Sequence, residues 1–301
     1  MEPPRGFLFE RQRQLLSLLS ALGGRVSRLD FQNLLFLYCQ EPGVSRAYEF
    51  VPQTFGAFSF TLHADRPKLI ERSLLADDEH TWQLTDEGKG SIGRATELQL
   101  AAFAHRHREL RGDALIADTY RRFPYYATRS QIADRVLDGD EAALERITAA
   151  RPALTAGALF TIGYEGRSLE SYLNELLGRG VTILCDVRRN ALSRKFGFSK
   201  NTLAKGCEAV GVRYEHLPEL GIASAERRSL ETQADYDALF VNYERESLPQ
   251  QGRALEKIGD WVNSRERVAL TCYERLPEQC HRHCVAAALE RQFGGLGPKH
   301  L

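Results

Sequence analysis

The sequence predicts two domains, a mainly helical one followed by an α/β domain with a mostly parallel sheet and helices on both faces. Three observations lead to this prediction. Segments with apolar residues at helical spacing fill the early part of the chain. From residue 158 onward, continuous apolar runs alternate with helix-like segments, a pattern typical of parallel sheets. Pro152 and Gly157 interrupt the chain between the two patterns. We therefore expect domains at residues 1–136 and 158–301, joined by a linker at 137–157.

The helical domain begins with two amphipathic segments and continues with a third helix before a short strand. FERQRQLLSLLSAL stops at Gly23 and Gly24, and Ser27 is a suitable N-cap for RLDFQNLLFLYCQE. The third helix follows the turn-rich stretch YEFVPQTFGAF, and HTWQLTDEGKG predicts an alternating strand that runs into a glycine-rich turn. This order is the outline of a winged helix, which many small helical domains share.

Several of these segments resemble a family of bacterial winged-helix-like domains found in uncharacterised proteins and antitoxin-like regulators. The resemblance lies in LLFLYCQE, in YEFVPQTFGAFSFTLHADRPKLIERSLL, in WQLTDEGK and in LIADTYRRFPYYATRS, and its hallmark is the stretch from Tyr48 to Ser59. It covers roughly the first 130 residues. It implies a domain that binds DNA or serves as a protein–protein adaptor.

The second domain alternates strands and helices regularly, as a Rossmann-like fold does. ALFTIGY, VTILCDV, VRYEHL and RVALTCY are the predicted strands. Ser168 caps the helix SLESYLNELLGRG, and Ser199 begins the helix SKNTLAKGCEAVG. Later helices are predicted in YDALFVNYERES, QGRALEKIGDWVNS and CHRHCVAAALERQF. In such sheets, ligands bind at the carboxyl ends of the strands.

Composition indicates an ordinary protein of the reducing cytoplasm. Lys and Arg total 40, as do Asp and Glu, so a nucleic acid would have to be bound by local patches. The first residues, MEPPRGFLFERQRQ, contain no apolar core of a signal peptide, and no apolar run is long enough to cross a bilayer. The six cysteines are unevenly spaced and do not form a disulfide framework.

Basic residues gather where the predicted strands end, and they predict an anion-binding crevice. Guanidinium groups match phosphate oxygens, and two helix N-termini add positive partial charge there. The alternative is that these side chains only solvate surface loops. The predicted anion-binding residues are Tyr164, Arg167, Arg188, Arg189, Ser193, Arg194, Lys195 and Arg282.

The same part of the chain resembles the domain of unknown function 488 family, over roughly residues 158–292. Four motifs carry the resemblance: Thr-Ile-Gly-Tyr at 161–164, Asp-Val-Arg at 186–188, Ser-Arg-Lys-Phe-Gly-Phe at 193–198, and a final Cys-x-Glu-x5-Cys-His-Arg at 272–282. The resemblance implies a fold class and a candidate site. It implies no reaction and no substrate.

The cysteines and histidines of the last motif allow three interpretations. A zinc site would normally show paired, short-spaced ligands, which this stretch lacks, so no metal is predicted here. Cys280 beside His281 and Arg282 suits a nucleophile, because a cysteine in the first turn of a helix has a stabilised thiolate. The alternative is a structural thiol that hydrogen-bonds its neighbours.

Two carboxylates complete the set of candidate catalytic residues, which is Asp186, Glu274, Cys280 and His281. Asp186 and Glu274 follow strands that could be neighbours, where either could act as a general base. Together they could hold a divalent cation against a phosphate, although no cofactor is predicted. A structural ion pair with Arg188 or Arg282 is the alternative. Tyr164, Phe196 and Phe198 are candidates for stacking on a base.

These features favour an enzyme that acts on a nucleic acid or nucleotide, by phosphodiester or N-glycosidic cleavage, with the winged-helix-like domain positioning the substrate. Two alternatives stay open: a non-enzymatic DNA-binding regulator or sensor of a phosphorylated ligand, and an adaptor in a bacterial defence or repair complex. The expected partner is a nucleic acid or a phosphorylated small molecule rather than a membrane. The sequence does not decide whether the protein forms a homo-oligomer.

Overall fold

The computed structural model describes residues 7–92, 98–153, 156–223, 226 and 230–301. The chain divides into two compact units, Met1–Arg151 and Pro152–Leu301. Residues 1–6, where the sequence predicts no signal peptide, lie outside the described residues. Residues 154–155 of the predicted linker do so as well. None of the helices in the described ranges has the length and hydropathy needed to span a membrane.

The first unit is mainly helical, as predicted. Its elements are α1 (Glu10–Ala21), β1 (Arg25–Ser27), α2 (Arg28–Cys39), β2 (Val51–Gln53), β3 (Gly56–Phe58), α3 (Phe60–Glu71), β4 (Thr81–Gln83), α4 (Asp86–Gly90), α5 (Leu98–Arg106), α6 (Gly112–Arg122), α7 (Ala133–Val136) and α8 (Glu141–Ala149). The strands form two short antiparallel pairs, β1 with β4 and β2 with β3. The winged-helix identification itself stays a prediction.

Helix caps explain where several of these elements begin. The Ser27 hydroxyl accepts a hydrogen bond from the Asp30 amide at the start of α2, as expected. The predicted glycine-rich turn after β4 is wrong, because the chain forms the short helix α4 there. The Thr85 hydroxyl accepts a hydrogen bond from the Gly88 amide at 2.9 Å, and acidic residues in the first turn suit the positive end of the helix dipole.

The second unit contains a five-stranded, fully parallel sheet. Its elements are β5 (Ala158–Gly163), α9 (Leu169–Gly178), β6 (Ile183–Asp186), α10 (Lys200–Ala209), β7 (Arg213–His216), α11 (Gln233–Asn242), α12 (Gly252–Asn263), β8 (Arg267–Cys272), α13 (Arg282–Phe293) and β9 (Lys299–His300). The strand order is β7-β6-β8-β5-β9. The four predicted strands are present, and the two-residue strand β9 is an addition. This confirms the predicted α/β class.

Helices cover both faces of this sheet. Alternate residues of the central strands, such as Leu159, Ile183 and Leu270, share one apolar core with residues of α12 and α13. On the opposite face, the Tyr172 hydroxyl of α9 donates a hydrogen bond to Thr271 Oγ1 at 2.7 Å. Because both faces of β5, β6 and β8 are buried, these three strands are mostly apolar, which is why they appear as continuous runs in the sequence.

Candidate functional site

The carboxyl ends of the three central strands meet at one edge of the sheet. Gly163 of β5 is aligned with Cys272 of β8, and Asp186 of β6 is aligned with Thr271 of β8. A Cβ atom on Gly163 would lie 1.8 Å from the Glu274 carbonyl oxygen, so only glycine lets the segment after β8 cross the end of β5. Parallel strands thus bring the segments that follow them to this edge.

Asp186 and Arg188 form a buried ion pair at this edge. Arg188 Nε and Nη2 donate to the two carboxylate oxygens of Asp186 at 2.8 and 2.5 Å. Arg188 Nη1 donates to the Tyr164 hydroxyl at 2.8 Å and to the Phe198 carbonyl at 2.9 Å. Burial by itself would lower the pKa of Arg188, but the hydrogen bonds and charge of Asp186 hold that pKa above its ordinary value. The Arg188 guanidinium therefore makes its hydrogen bonds within the protein.

Both carboxylate oxygens of Asp186 likewise accept their hydrogen bonds from groups within the protein. It also accepts hydrogen bonds from the Arg188 backbone amide at 3.1 Å and from the Tyr214 hydroxyl at 2.6 Å. Burial, reinforced by the negative charge of Asp186, raises the pKa of Tyr214, so this phenol stays a donor. The geometry favours the structural ion-pair interpretation. A general-base or cation-binding role for Asp186 stays a prediction and would require these bonds to break.

Arg282 also turns inward. Its side chain is fully buried and donates to the carbonyl oxygens of Glu274 at 2.5 Å and Arg275 at 3.0 Å, with Thr161 Oγ1 at 3.4 Å from Nε. The guanidinium therefore holds the turn after β8 against β5. An anion would have to displace these carbonyl oxygens to reach it.

The other predicted anion-binding residues lie nearer the surface. Arg189 and Arg194 are exposed, and within the described ranges neither has a carboxylate at ion-pair distance. Lys195 Nζ donates to the Tyr164 carbonyl at 3.0 Å, and burial lowers the pKa of this lysine although Glu165 opposes the shift. Ser193 Oγ accepts a hydrogen bond from the Lys195 amide, and Arg167 lies 3.9 Å from Glu175, too long for a strong pair.

The aromatic residues at this edge also divide into buried and exposed ones. Tyr164 stacks on the buried Phe198 with ring centroids 4.4 Å apart and an interplanar angle of 8°. The rings of Tyr273 and Tyr164 are in an edge-type contact with their centroids 5.3 Å apart. Tyr273 remains 44% exposed, and Phe196 is 47% exposed. Phe196 and Tyr273 can therefore receive a planar ligand, and Phe198 cannot. Sequence reasoning did not select Tyr273, although its position directly after β8 was a signal for it.

We call Arg194, Lys195, Phe196 and Tyr273 the rim. Its cations and its Phe196 come from the loop between β6 and α10, and Tyr273 comes from the end of β8. Two hydrogen bonds hold this loop in place: the Arg188 guanidinium donates to the Phe198 carbonyl, and Ser199 Oγ donates to the Ser193 carbonyl at 2.8 Å. Lys195 contacts the backbone carbonyl of Tyr164 and Tyr273 contacts its ring, so groups from two different strand ends meet the same residue.

Beside the rim lies a buried cluster formed by Cys272, Cys280 and His281, whose potential ligand atoms all lie within 4.8 Å of one another. Cys272 Sγ lies 3.8 Å from His281 Nδ1 and 3.4 Å from Glu274 Oε2. His281 Nε2 lies 3.0 Å from the Val187 carbonyl oxygen, which can only accept, so Nε2 carries the hydrogen. The Nδ1 atom therefore lies on the side of the two sulfur atoms.

The position of Cys280 weakens the nucleophile interpretation. Helix α13 begins at Arg282 with His281 as its N-cap, two residues later than predicted, so Cys280 precedes the first turn. Burial raises the pKa of the Cys280 thiol well above its ordinary value, and Cys272 adds to that rise. A protonated, fully buried thiol fits the structural alternative better. A catalytic role for Cys280 or His281 stays a prediction.

The second unit is an α/β domain with a parallel sheet, a class in which ligands bind at the carboxyl edge of the strands. The family model described as Domain of unknown function DUF488 matches residues 168–289, in the second half of the chain. This confirms the family predicted from its motifs. No curated protein and no solved structure matches the chain. The resemblance of the N-terminal segments to a bacterial winged-helix-like family stays a prediction.

Proposed function

We propose that the second unit binds a single-stranded nucleic acid or a nucleotide on the rim. The observation that carries the proposal is that Lys195 and the exposed ring of Tyr273, from two different strand ends, both contact Tyr164. Phosphates are attracted by such cations, and bases stack on exposed rings whatever their sequence. Because the chain has zero net charge, it has to attract a nucleic acid through a local surface of this kind.

Preorganisation of the rim supports the proposal further. The loop that carries Phe196 is tied down by the Asp186–Arg188 pair and by Gly197, whose φ of +90° is a conformation that glycine adopts readily. A loop that is already ordered loses little conformational entropy when a ligand binds. The buried arginine therefore contributes to binding by holding the loop, while Arg194 and Lys195 face the phosphates.

Fluorescence anisotropy with a labelled single-stranded oligonucleotide tests the binding. The double variant Arg194→Gln/Lys195→Gln should bind at least about tenfold more weakly at low salt. The slope of the logarithm of the binding constant against the logarithm of the salt concentration should be shallower by about 1.4, since each phosphate contact on a single strand contributes about 0.7. Phe196→Ala should lose about 1–3 kcal/mol of binding free energy. Arg253→Gln and Val241→Ala, at exposed positions elsewhere on the unit, are the matched controls.

Two results would overturn the binding proposal. One is the absence of any binding of the oligonucleotide, or of a labelled mononucleotide, by the wild-type protein at low salt. The other is binding that the rim variants weaken no more than the controls do. If duplex DNA binds more tightly than single strands and the rim variants leave that binding unchanged, the DNA-binding regulator is the better description.

Hydrolysis of the bound ligand is the catalytic part of the proposal, with Glu274 as the acid–base group. Glu274 is half-buried beside Tyr273, unlike the enclosed Asp186. A carboxyl group at this position suits phosphodiester or N-glycosidic cleavage. In this proposal the first unit presents the nucleic acid, and no step requires a cofactor.

Product analysis by mass spectrometry tests the catalytic part separately. Wild-type protein should convert an oligonucleotide or nucleotide that it binds, and Glu274→Gln should slow turnover by about 10²- to 10⁴-fold while leaving affinity nearly unchanged. Glu278→Gln, an exposed carboxylate in the same turn, is the control. If wild-type protein binds these ligands and converts none of them, the domain is a sensor or regulator, and the catalytic part of the proposal fails.

A further inference from the structure

We propose that Cys272, Cys280 and His281 form a binding site for a zinc ion. The donors are two sulfur atoms and one imidazole nitrogen, and a water molecule in the fourth position would complete the tetrahedral geometry that zinc accepts. They come from both sides of the short turn Pro277–Gln279, so the fold, and not close spacing in the sequence, brings them together.

The distances between the donor atoms suit a tetrahedral ion. With Zn–S near 2.3 Å and Zn–N or Zn–O near 2.0–2.2 Å, ligands at tetrahedral angles lie about 3.6 Å apart. Cys272 Sγ is 3.8 Å from His281 Nδ1. The sulfur of Cys280 belongs to the same group, within 4.8 Å of these two atoms. Shifts of up to about 1 Å would complete the coordination.

The surroundings of His281 fit a metal ligand. Its Nε2 donates to the Val187 carbonyl, which leaves Nδ1 on the side of the sulfurs as the ligand atom. A backbone acceptor on the far ring nitrogen is the usual support of a metal-bound histidine. Because Val187 directly precedes Arg188, a metal here would tie the end of β8 and the start of α13 to the base of the rim loop.

Charge and burial suit a buried zinc ion. Cys272 and Cys280 are fully buried and His281 is 1% exposed. Two thiolates neutralise Zn²⁺, so the centre adds little net charge to an apolar environment, and the two thiol protons are released to solvent.

The test is metal binding by the full-length protein, purified under reducing conditions, stripped with a chelator and reloaded with Zn²⁺ or Co²⁺. We expect one ion per chain and, with Co²⁺, the charge-transfer absorption of a cobalt–thiolate centre. Cys272→Ser and Cys280→Ser should weaken binding more than about 100-fold. Cys284→Ser and Cys39→Ser, at buried cysteines outside the cluster, should leave binding unchanged.

A second measurement does not depend on whether the serine variants fold. Zinc should protect Cys272 and Cys280 of the wild-type protein from alkylation, as located by peptide mass spectrometry, and should leave the alkylation of Cys284 unchanged. Three results would overturn the proposal: less than stoichiometric metal in the reloaded protein, protection of other cysteines instead, or a Cys272–Cys280 disulfide in a protein that binds no metal after reduction. Oligonucleotide binding by the rim is measured independently, so either proposal can fail alone.

Discussion

Replacing Arg188 with methionine should strongly destabilise the second unit. The change removes all four side-chain hydrogen bonds of the guanidinium, two of them to Asp186. The fully buried carboxylate then keeps only the Arg188 backbone amide and the Tyr214 hydroxyl as donors. Breaking a buried pair by removing one partner costs about 3–5 kcal/mol. With a urea dependence near 2 kcal/mol per molar, the unfolding midpoint should fall by about 2 M.

The assay is urea unfolding followed by pulsed hydrogen exchange in peptides from residues 158–293, which separates this unit from the first. Asp186→Asn should also destabilise the unit, because it leaves a buried guanidinium without its charged partner. The double variant should lose less than the sum of the single losses, with a coupling of about 2–3 kcal/mol. Arg245→Met, whose partner Glu246 is as exposed as itself, is the control and should cost less than about 0.5 kcal/mol.

A small effect would refute the reasoning. If Arg188→Met shifts the midpoint no more than Arg245→Met does, the pair is not a buried structural element. Asp186 and Arg188 would then be available to a ligand, and the general-base and anion-binding interpretations of these residues would regain support.

Two further predictions concern packing and pH. Gly163→Ala should cost about 2 kcal/mol or more in the same assay, since its Cβ would collide with the Glu274 carbonyl, while Gly178→Ala, with nothing within 4 Å, should be neutral. In the first unit, burial and then two neighbouring arginines lower the pKa of His63 to about 4. The unfolded chain therefore binds the extra proton below pH about 6.5, and stability should fall by about 2 kcal/mol from there to pH 4. His63→Gln should flatten that part of the curve, and a wild-type curve already flat there would contradict the assignment.

The elements of the second unit could be predicted because their signals are local. Apolar runs mark β5, β6 and β8, and Ser168 and Ser199 mark the starts of α9 and α10. The order of the strands was not predictable in this way. Local patterns identify a strand but do not encode its neighbours, so nothing near residue 267 indicates that β8 lies between β5 and β6.

The candidate site was only partly predictable for a related reason. The strand-end rule selected the correct edge, but Arg188 and Arg189 look alike in the sequence. They differ because Arg188 lies two residues after Asp186 and under Tyr164, whereas Arg189 points to solvent. The thiol cluster escaped prediction because seven residues separate Cys272 from Cys280, and a zinc pattern is recognised by short spacing.

The position of β8 at the centre of the sheet has a consequence for biosynthesis. While a ribosome is still adding residues before 267, β5 and the β6–β7 pair have no strand to join them. Both present unpaired backbone edges, the kind of surface on which nascent chains associate wrongly. A chaperone that shields newly made chains should therefore matter most to this protein until residues 267–272 have left the exit tunnel.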